Sequence, residues 1–174
     1  LLERFTNPSV RKNIEVDIQI IDHYDKVLPE LEWYILKTAR VHDPIALSLL
    51  KSVPGIGHIL SLSILYEIHV INRFKRVQDF LSYSRLVKCA KESAGKKYGT
   101  SRAKIGNAHL KWAFSEAAVL FLRGSNMRQK FFEKLEKKHG KAKALSVLAA
   151  KLGRAVYFML LRRHPFDQLK FLSD

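Results

Sequence analysis

The sequence predicts an all-α protein: a coiled-coil-like N-terminal helix followed by a helical domain that contains a helix-hairpin-helix. Three observations carry that expectation. Apolar residues recur at helical spacing along most of the 174 residues. Runs of alternating β-branched and aromatic residues, which would signal strands, are scarce. The 47% apolar content is that of a folded chain, and this length suffices for one good core, or a core plus an appendage.

The elements follow in order. From Asn13 to Arg40 the apolar residues Ile14, Ile18, Ile21, Leu28, Leu31 and Ile35 form a narrow stripe, with Asp25 interrupting it and polar residues on the other faces. Such a stripe suits coiled-coil-like pairing, within the chain or between copies. Pro29 predicts a kink or a break near Leu28. Pro44 biases its predecessor away from helix, so residues 1–43 read as linker helices and 44–174 as the helical domain.

A short helix, Ile45 to Lys51, leads into the stretch SVPGIGHILSLSILYEI, Ser52 to Ile68, whose second half is a helix from about His58. Phe74 to Tyr83 forms another, with Phe74, Val77, Phe80 and Leu81 on one face. The segment SRLVKCAKESAGKKYGTSRAKIGN, Ser84 to Asn107, is the least helical and the most basic. Asn107 suits the N-cap of an apolar helix from Ala108 to Arg123. Gly124-Ser125-Asn126 turns the chain into a helix from Met127 to His139, and Gly140 stops it. Lys143 to Arg163 is the last helix, before His164-Pro165-Phe166. The aromatics Trp112, Phe114, Phe121, Phe131, Phe132, Tyr157 and Phe158 stand at helical spacing and read as core.

Composition narrows the function. The single cysteine, Cys89, excludes an internal disulfide and a cysteine-rich zinc site. The seven histidines and the scattered acids show no metal-ligand spacing. No uninterrupted apolar run approaches the roughly 20 residues of a membrane span. Leu1-Leu2-Glu3-Arg4 lacks the pattern of a secretory leader and reads as a cut inside a longer chain. Charge is uneven: residues 1–50 carry 6 basic and 8 acidic side chains, and the remaining 124 carry 25 and 8. The basic part is therefore the candidate polyanion binder.

Two segments could meet a nucleic-acid backbone. In Pro54-Gly55-Ile56-Gly57-His58 the proline fixes φ, and the glycines open conformations closed to other residues and remove side chains that would hold a phosphate away. Backbone N–H groups at the start of the following helix then suit a phosphate, read without base preference. The same residues also suit a plain tight turn between helices, or a protein-docking hairpin. The second segment holds Arg85, Lys88, Lys91, Lys96, Lys97, Arg102, Lys104 and Lys111 against one acid, Glu92, with Ser93-Ala94-Gly95 in its middle. A hydroxyl among cations can attack phosphate, because the cations stabilise charge on the transferring group; it can equally be a simple donor. Tyr98, in the same segment, is the aromatic placed to stack on a base.

The order of motifs resembles the C-terminal, serine-bearing domain of insertion-sequence one-ten family transposases. The matching pieces are SVPGIGHILSLSILYEI, RFKRVQDFLSYSRLV, ESAGKK, KIGNAHLKWAFSEAAVLFLR and LAAKLGRAVYFMLLRRHPFD, spanning about Leu50 to Asp167. Asn13 to Arg40 resembles the coiled-coil segment that joins this domain to an N-terminal RuvC-like domain. The resemblance implies that Ser93 attacks a DNA phosphodiester and becomes linked to the strand. It also implies that divalent metal, magnesium, is bound by carboxylates of the RuvC-like domain, which is not in this sequence, so this segment needs no cofactor of its own.

The partners implied are DNA, a bridge RNA as guide in some members, and a second copy of the chain through Asn13–Arg40, without a membrane. The implied location is the prokaryotic cytoplasm, at the nucleoid. Two departures stand out. Arg85-Leu86-Val87-Lys88 replaces a Gly-Leu-x-Pro-like run, and Ala94-Gly95 replaces two glycines; both predict a stiffer loop. The alternatives from residues alone are a non-catalytic helix-hairpin-helix nucleic-acid-binding module and an oligomerisation domain.

Overall fold

A computed structural model of the chain describes residues 4–87, 90–93, 96–100 and 105–173, with residues 90–93 and 96–100 described as backbone. The chain divides into two compact units, Leu1–His42 and Asp43–Asp174.

The first unit is one helix, α1, Pro8–His42. Asn7 starts it by accepting from the Ser9 N–H, at 2.9 Å, with Pro8 at the first helical position, where no donor is needed. The expected break at Pro29 does not occur, and the helix runs through it. Pro29 forfeits one N–H bond, yet its fixed φ is helical, and the ladder on both sides carries the helix on. The apolar stripe is exposed within this unit: Ile18, Ile21, Leu28 and Leu31 all face solvent.

The second unit comprises α2 (Pro44–Lys51), α3 (His58–Ile68), a 3-10 turn (Ile71–Arg73), α4 (Val77–Tyr83), β1 (Ala90–Ser93), β2 (Lys96–Thr100), α5 (Ala108–Phe121), α6 (Asn126–His139), α7 (Lys141–Arg162) and α8 (Gln168–Ser173). The fold class is all-α, as expected, with one antiparallel ribbon added in the segment that sequence pattern left as loop.

The caps follow sequence chemistry. Asp43, Asn107 and Ser125 accept from the N–H groups of Ala46, Leu110 and Arg128. The Asp79 carboxylate accepts from the Arg76 backbone N–H and from its guanidinium at the start of α4, so the helix begins at Val77 with Phe74 outside it. Phe74 is still buried, and its carbonyl accepts from the Tyr157 hydroxyl at 3.0 Å.

The core forms around α7, which packs against α2, α4, α5 and α6. Ala144, Leu148, Leu152 and Val156 line its inner side; α5 answers with Leu110, Ala113, Phe114, Ala117 and Phe121. Alanines on both helices let the axes approach, and the rings of Phe74, Phe80, Phe114 and Tyr157 fill the space below. Each fully buried Phe contributes about 2–3 kcal/mol.

Long and apolar enough to cross a bilayer, α7 nevertheless has half of that span buried in this core, which marks it as the central helix of the fold. The structure also corrects the aromatic assignment at three places. Trp112 is exposed, and Phe131 and Phe158 are half-buried; the other four are core. A final helix, α8, had no sequence expectation, and it buries Phe171 against Phe121.

Candidate nucleic-acid interface

The corner between α2 and α3 is a β-turn. The Ile56 N–H bonds the Val53 carbonyl at 3.0 Å, Pro54 occupies the second position, and Gly55 the third with φ of +90°. This corrects the expected role of the first glycine. A Cβ on Gly55 would lie 2.6 Å from the Phe121 backbone nitrogen and 2.9 Å from the Leu120 carbonyl carbon. Gly55 is bare because the end of α5 presses on it. Ile56 belongs to the core, and its N–H is spent inside the turn.

What the corner exposes is Gly57 and His58. Gly57 is the N-cap of α3, no side chain caps the helix, and open space surrounds the position of its missing Cβ. The first-turn N–H groups of α3 therefore face outward at the positive end of the helix. Lys51, at the end of α2, reaches His58 Nδ1 with its Nζ at 3.0 Å and adds a cation beside them. Sequence reasoning missed Lys51; its signal is a basic residue in the last turn before a proline-glycine corner.

The basic segment is a ribbon. β1 and β2 pair antiparallel with Ala90 opposite Thr100, Lys91 opposite Gly99, Glu92 opposite Lys97 and Ser93 opposite Lys96. Between the first two pairs and the last two the register shifts, so Tyr98 is the extra residue of a bulge whose neighbour Gly99 has φ of +127°. Ser93 thus occupies the last paired position before a two-residue connection, directly across from a lysine. Lys88, Cys89, Arg102 and Lys104 lie outside the described residues, as do Ala94 and Gly95.

The roots of the ribbon are built on α3, α4 and α5. Asn107 donates its backbone N–H to the Tyr83 carbonyl at 2.6 Å, and the Arg85 guanidinium donates to the Gly106 carbonyl at 2.8 Å. Arg85 is thereby a half-buried tie in the neck of the ribbon, not a solvent cation awaiting a phosphate. Its φ of +54° explains the glycine that the resemblance would put there: the position is left-handed. Lys111, one turn into α5, is exposed.

The Asn107 amide donates to a Glu67 carboxylate oxygen and reaches the Tyr83 hydroxyl at 3.5 Å. The Arg73 guanidinium lies 4.6 Å from the ring centres of both Phe74 and Tyr83. Hydrogen bonds from Asn107 and then from Arg73 hold the Tyr83 phenol below its ordinary range. No group of three His, Cys, Asp or Glu able to hold a metal gathers among the described residues.

The ribbon with its polar neck stands at the N-terminal end of α5, next to the end of α3 at Glu67. The corner that leads into the uncapped start of α3 lies against Leu120 and Phe121 at the other end of α5. A helical domain that carries a lysine-rich ribbon on a polar neck is a domain made to handle an anionic partner. The family model for the Transposase IS116/IS110/IS902 family matches residues 47–133, half of the chain, from α2 through the ribbon into α6. The chain belongs to that family of transposases, whose partner is DNA. A comparison with curated proteins yields no match.

Proposed function

We propose that this chain is the serine-bearing C-terminal part of a DNA transposase, with Ser93 as the nucleophile of strand cleavage and exchange. The observation that carries the reading is the register that sets Ser93 opposite Lys96 at the end of a lysine-rich ribbon. Ser93 Oγ attacks a backbone phosphorus. An Oγ–P bond forms, one P–O ester bond breaks, and the proton lost by the serine ends on the departing strand oxygen. Attack by the hydroxyl of a second strand reverses these steps and restores the serine. Lysines of the ribbon balance charge on the phosphoryl group throughout.

Gly57, His58 and Lys51 form a second contact with the sugar-phosphate backbone, independent of base identity. A guide RNA, where used, meets the same basic surface. The exposed apolar stripe of α1 pairs with α1 of a second copy. Divalent metal is supplied by a RuvC-like domain elsewhere in the parent protein.

The test is a trapped protein–DNA adduct formed by the full-length transposase and mapped by peptide mass. The reading expects the adduct on Ser93 and its loss in Ser93→Ala. A DNA affinity that falls steeply with salt and is unchanged by Ser93→Ala, with no adduct formed by the parent, would instead leave a binding module. Light scattering on a variant carrying Ile21→Lys and Leu28→Lys tests the α1 pairing, which predicts loss of self-association.

A further inference from the structure

We propose that Asn107, bound to Glu67 and Tyr83, is a positioning residue that sets the aim of the β1–β2 ribbon and hence of Ser93; this rests on the nucleophile reading above. Among the described residues, the only extensive packing the strands make is with each other. Orientation must therefore be fixed where the ribbon joins the body, at Tyr83–Val87 on one side and Ile105–Asn107 on the other.

Three segments meet there at one side chain. The Asn107 Oδ1 accepts from the Leu110 N–H at 2.8 Å and starts α5. Its Nδ2 donates to Glu67, near the end of α3, and lies within 3.5 Å of the Tyr83 hydroxyl at the end of α4. The same residue's backbone N–H holds the Tyr83 carbonyl. Gly106 lets the two roots close up: a Cβ there would sit 2.5 Å from that carbonyl oxygen. Arg85 adds a second bond across the neck.

Only asparagine does both jobs at this reach. Aspartate caps a helix as well, but it brings no donor and sets a second carboxylate against Glu67. Serine caps and falls short of Glu67. A helix start alone needs none of the contacts to Glu67 and Tyr83, so those contacts serve the ribbon. Because misplacing a reacting group by about 1 Å costs on the order of 100-fold in rate, a looser neck should slow chemistry while leaving the cationic surface intact.

The experiment uses the full-length transposase. Adduct formation is timed at saturating DNA, DNA Kd is measured separately, and amide hydrogen exchange is followed in residues 90–100. For Asn107→Asp, the clamp predicts adduct formation slower by about 10- to 100-fold, Kd within about two-fold of the parent, faster ribbon exchange and an unchanged cap on α5. Glu67→Gln, whose amide oxygen still accepts from Asn107, should retain most of the rate.

Parent-like rate and parent-like ribbon exchange in Asn107→Asp would overturn the proposal. So would a Glu67→Gln variant as slow as Asn107→Asp. If Asn107→Asp fails to fold, Asn107→Ser with the same exchange readout decides. Ser93→Ala separates the two readings: an adduct persisting there rejects Ser93 as nucleophile, while ribbon exchange still judges the clamp.

Discussion

The two ends of α5 use the same device for different purposes. At its C-terminal end, Gly55 with positive φ lies against the backbone of Leu120 and Phe121; at its N-terminal end, Gly106 with positive φ lies against the Tyr83 carbonyl. Around Gly55 the neighbours are apolar, Val53 and Ile56, and the contact joins two parts of the core. Around Gly106 they are polar, and the contact mounts a ribbon that the core does not otherwise hold. A missing side chain is thus a packing device at one end and the base of a functional mount at the other. The surrounding chemistry decides which, not the glycine.

The largest effects should come from filling those contacts. Gly55→Ala combines a left-handed φ with a Cβ pressed on backbone, and should cost about 3 kcal/mol or more in thermal unfolding of the whole domain. Gly106→Ala meets backbone just as closely and should cost a similar amount, but its hydrogen-exchange change should begin in the ribbon. If both variants loosen the same amides, the contrast between the two ends fails.

Gly57→Ala is the control within the corner. Its added methyl meets nothing, so only the poorer N-cap counts, about 1 kcal/mol or less, in a denaturant titration. A loss as large as that of Gly55→Ala would return Gly57 to the packed part of the corner.

Tyr83 gives the polar end a pH signature. Its folded pKa is depressed below the unfolded value near 10, so the bonds favour the phenolate. That contribution is fully present above the unfolded value, is lost as pH falls through the folded one, and is nil near neutrality. Ultraviolet titration of the parent minus Tyr83→Phe should show one phenol ionising early. In the Asn107→Asp variant that phenol should move back up.

The smallest effect is expected at Ser84, fully buried with no hydrogen-bond partner for its hydroxyl among the described residues. Ser84→Ala should be neutral or slightly stabilising in thermal unfolding, since an unpaired buried hydroxyl costs free energy and the methyl does not. Destabilisation by more than about 1 kcal/mol would mean that the hydroxyl is paired at the neck.

Much of this molecule is legible without coordinates. Asn107, Ser125 and Gly140 marked helix ends because capping depends on one side chain and the few backbone groups beside it. The start of α3 at His58 and the core aromatics Phe114 and Phe121 came from local spacing in the same way, and the family from the resemblance of motifs between about Leu50 and Asp167. Lys51 and the neck did not: His58 is seven residues from Lys51, and Glu67 is forty from Asn107, so no local pattern links them.

The sequence by itself determined the helical class, the helix ends, the basic surplus after residue 50 and the place of Ser93 in a cationic segment, since each depends on composition or on neighbours within a turn. Only the tertiary structure decided which glycine touches backbone, that Arg85 is a tie across the neck, and that the segment around Ser93 is a ribbon paired with Lys96. Those facts depend on which distant backbone groups meet, and excluded volume and hydrogen-bond pairing settle that only once the chain has folded.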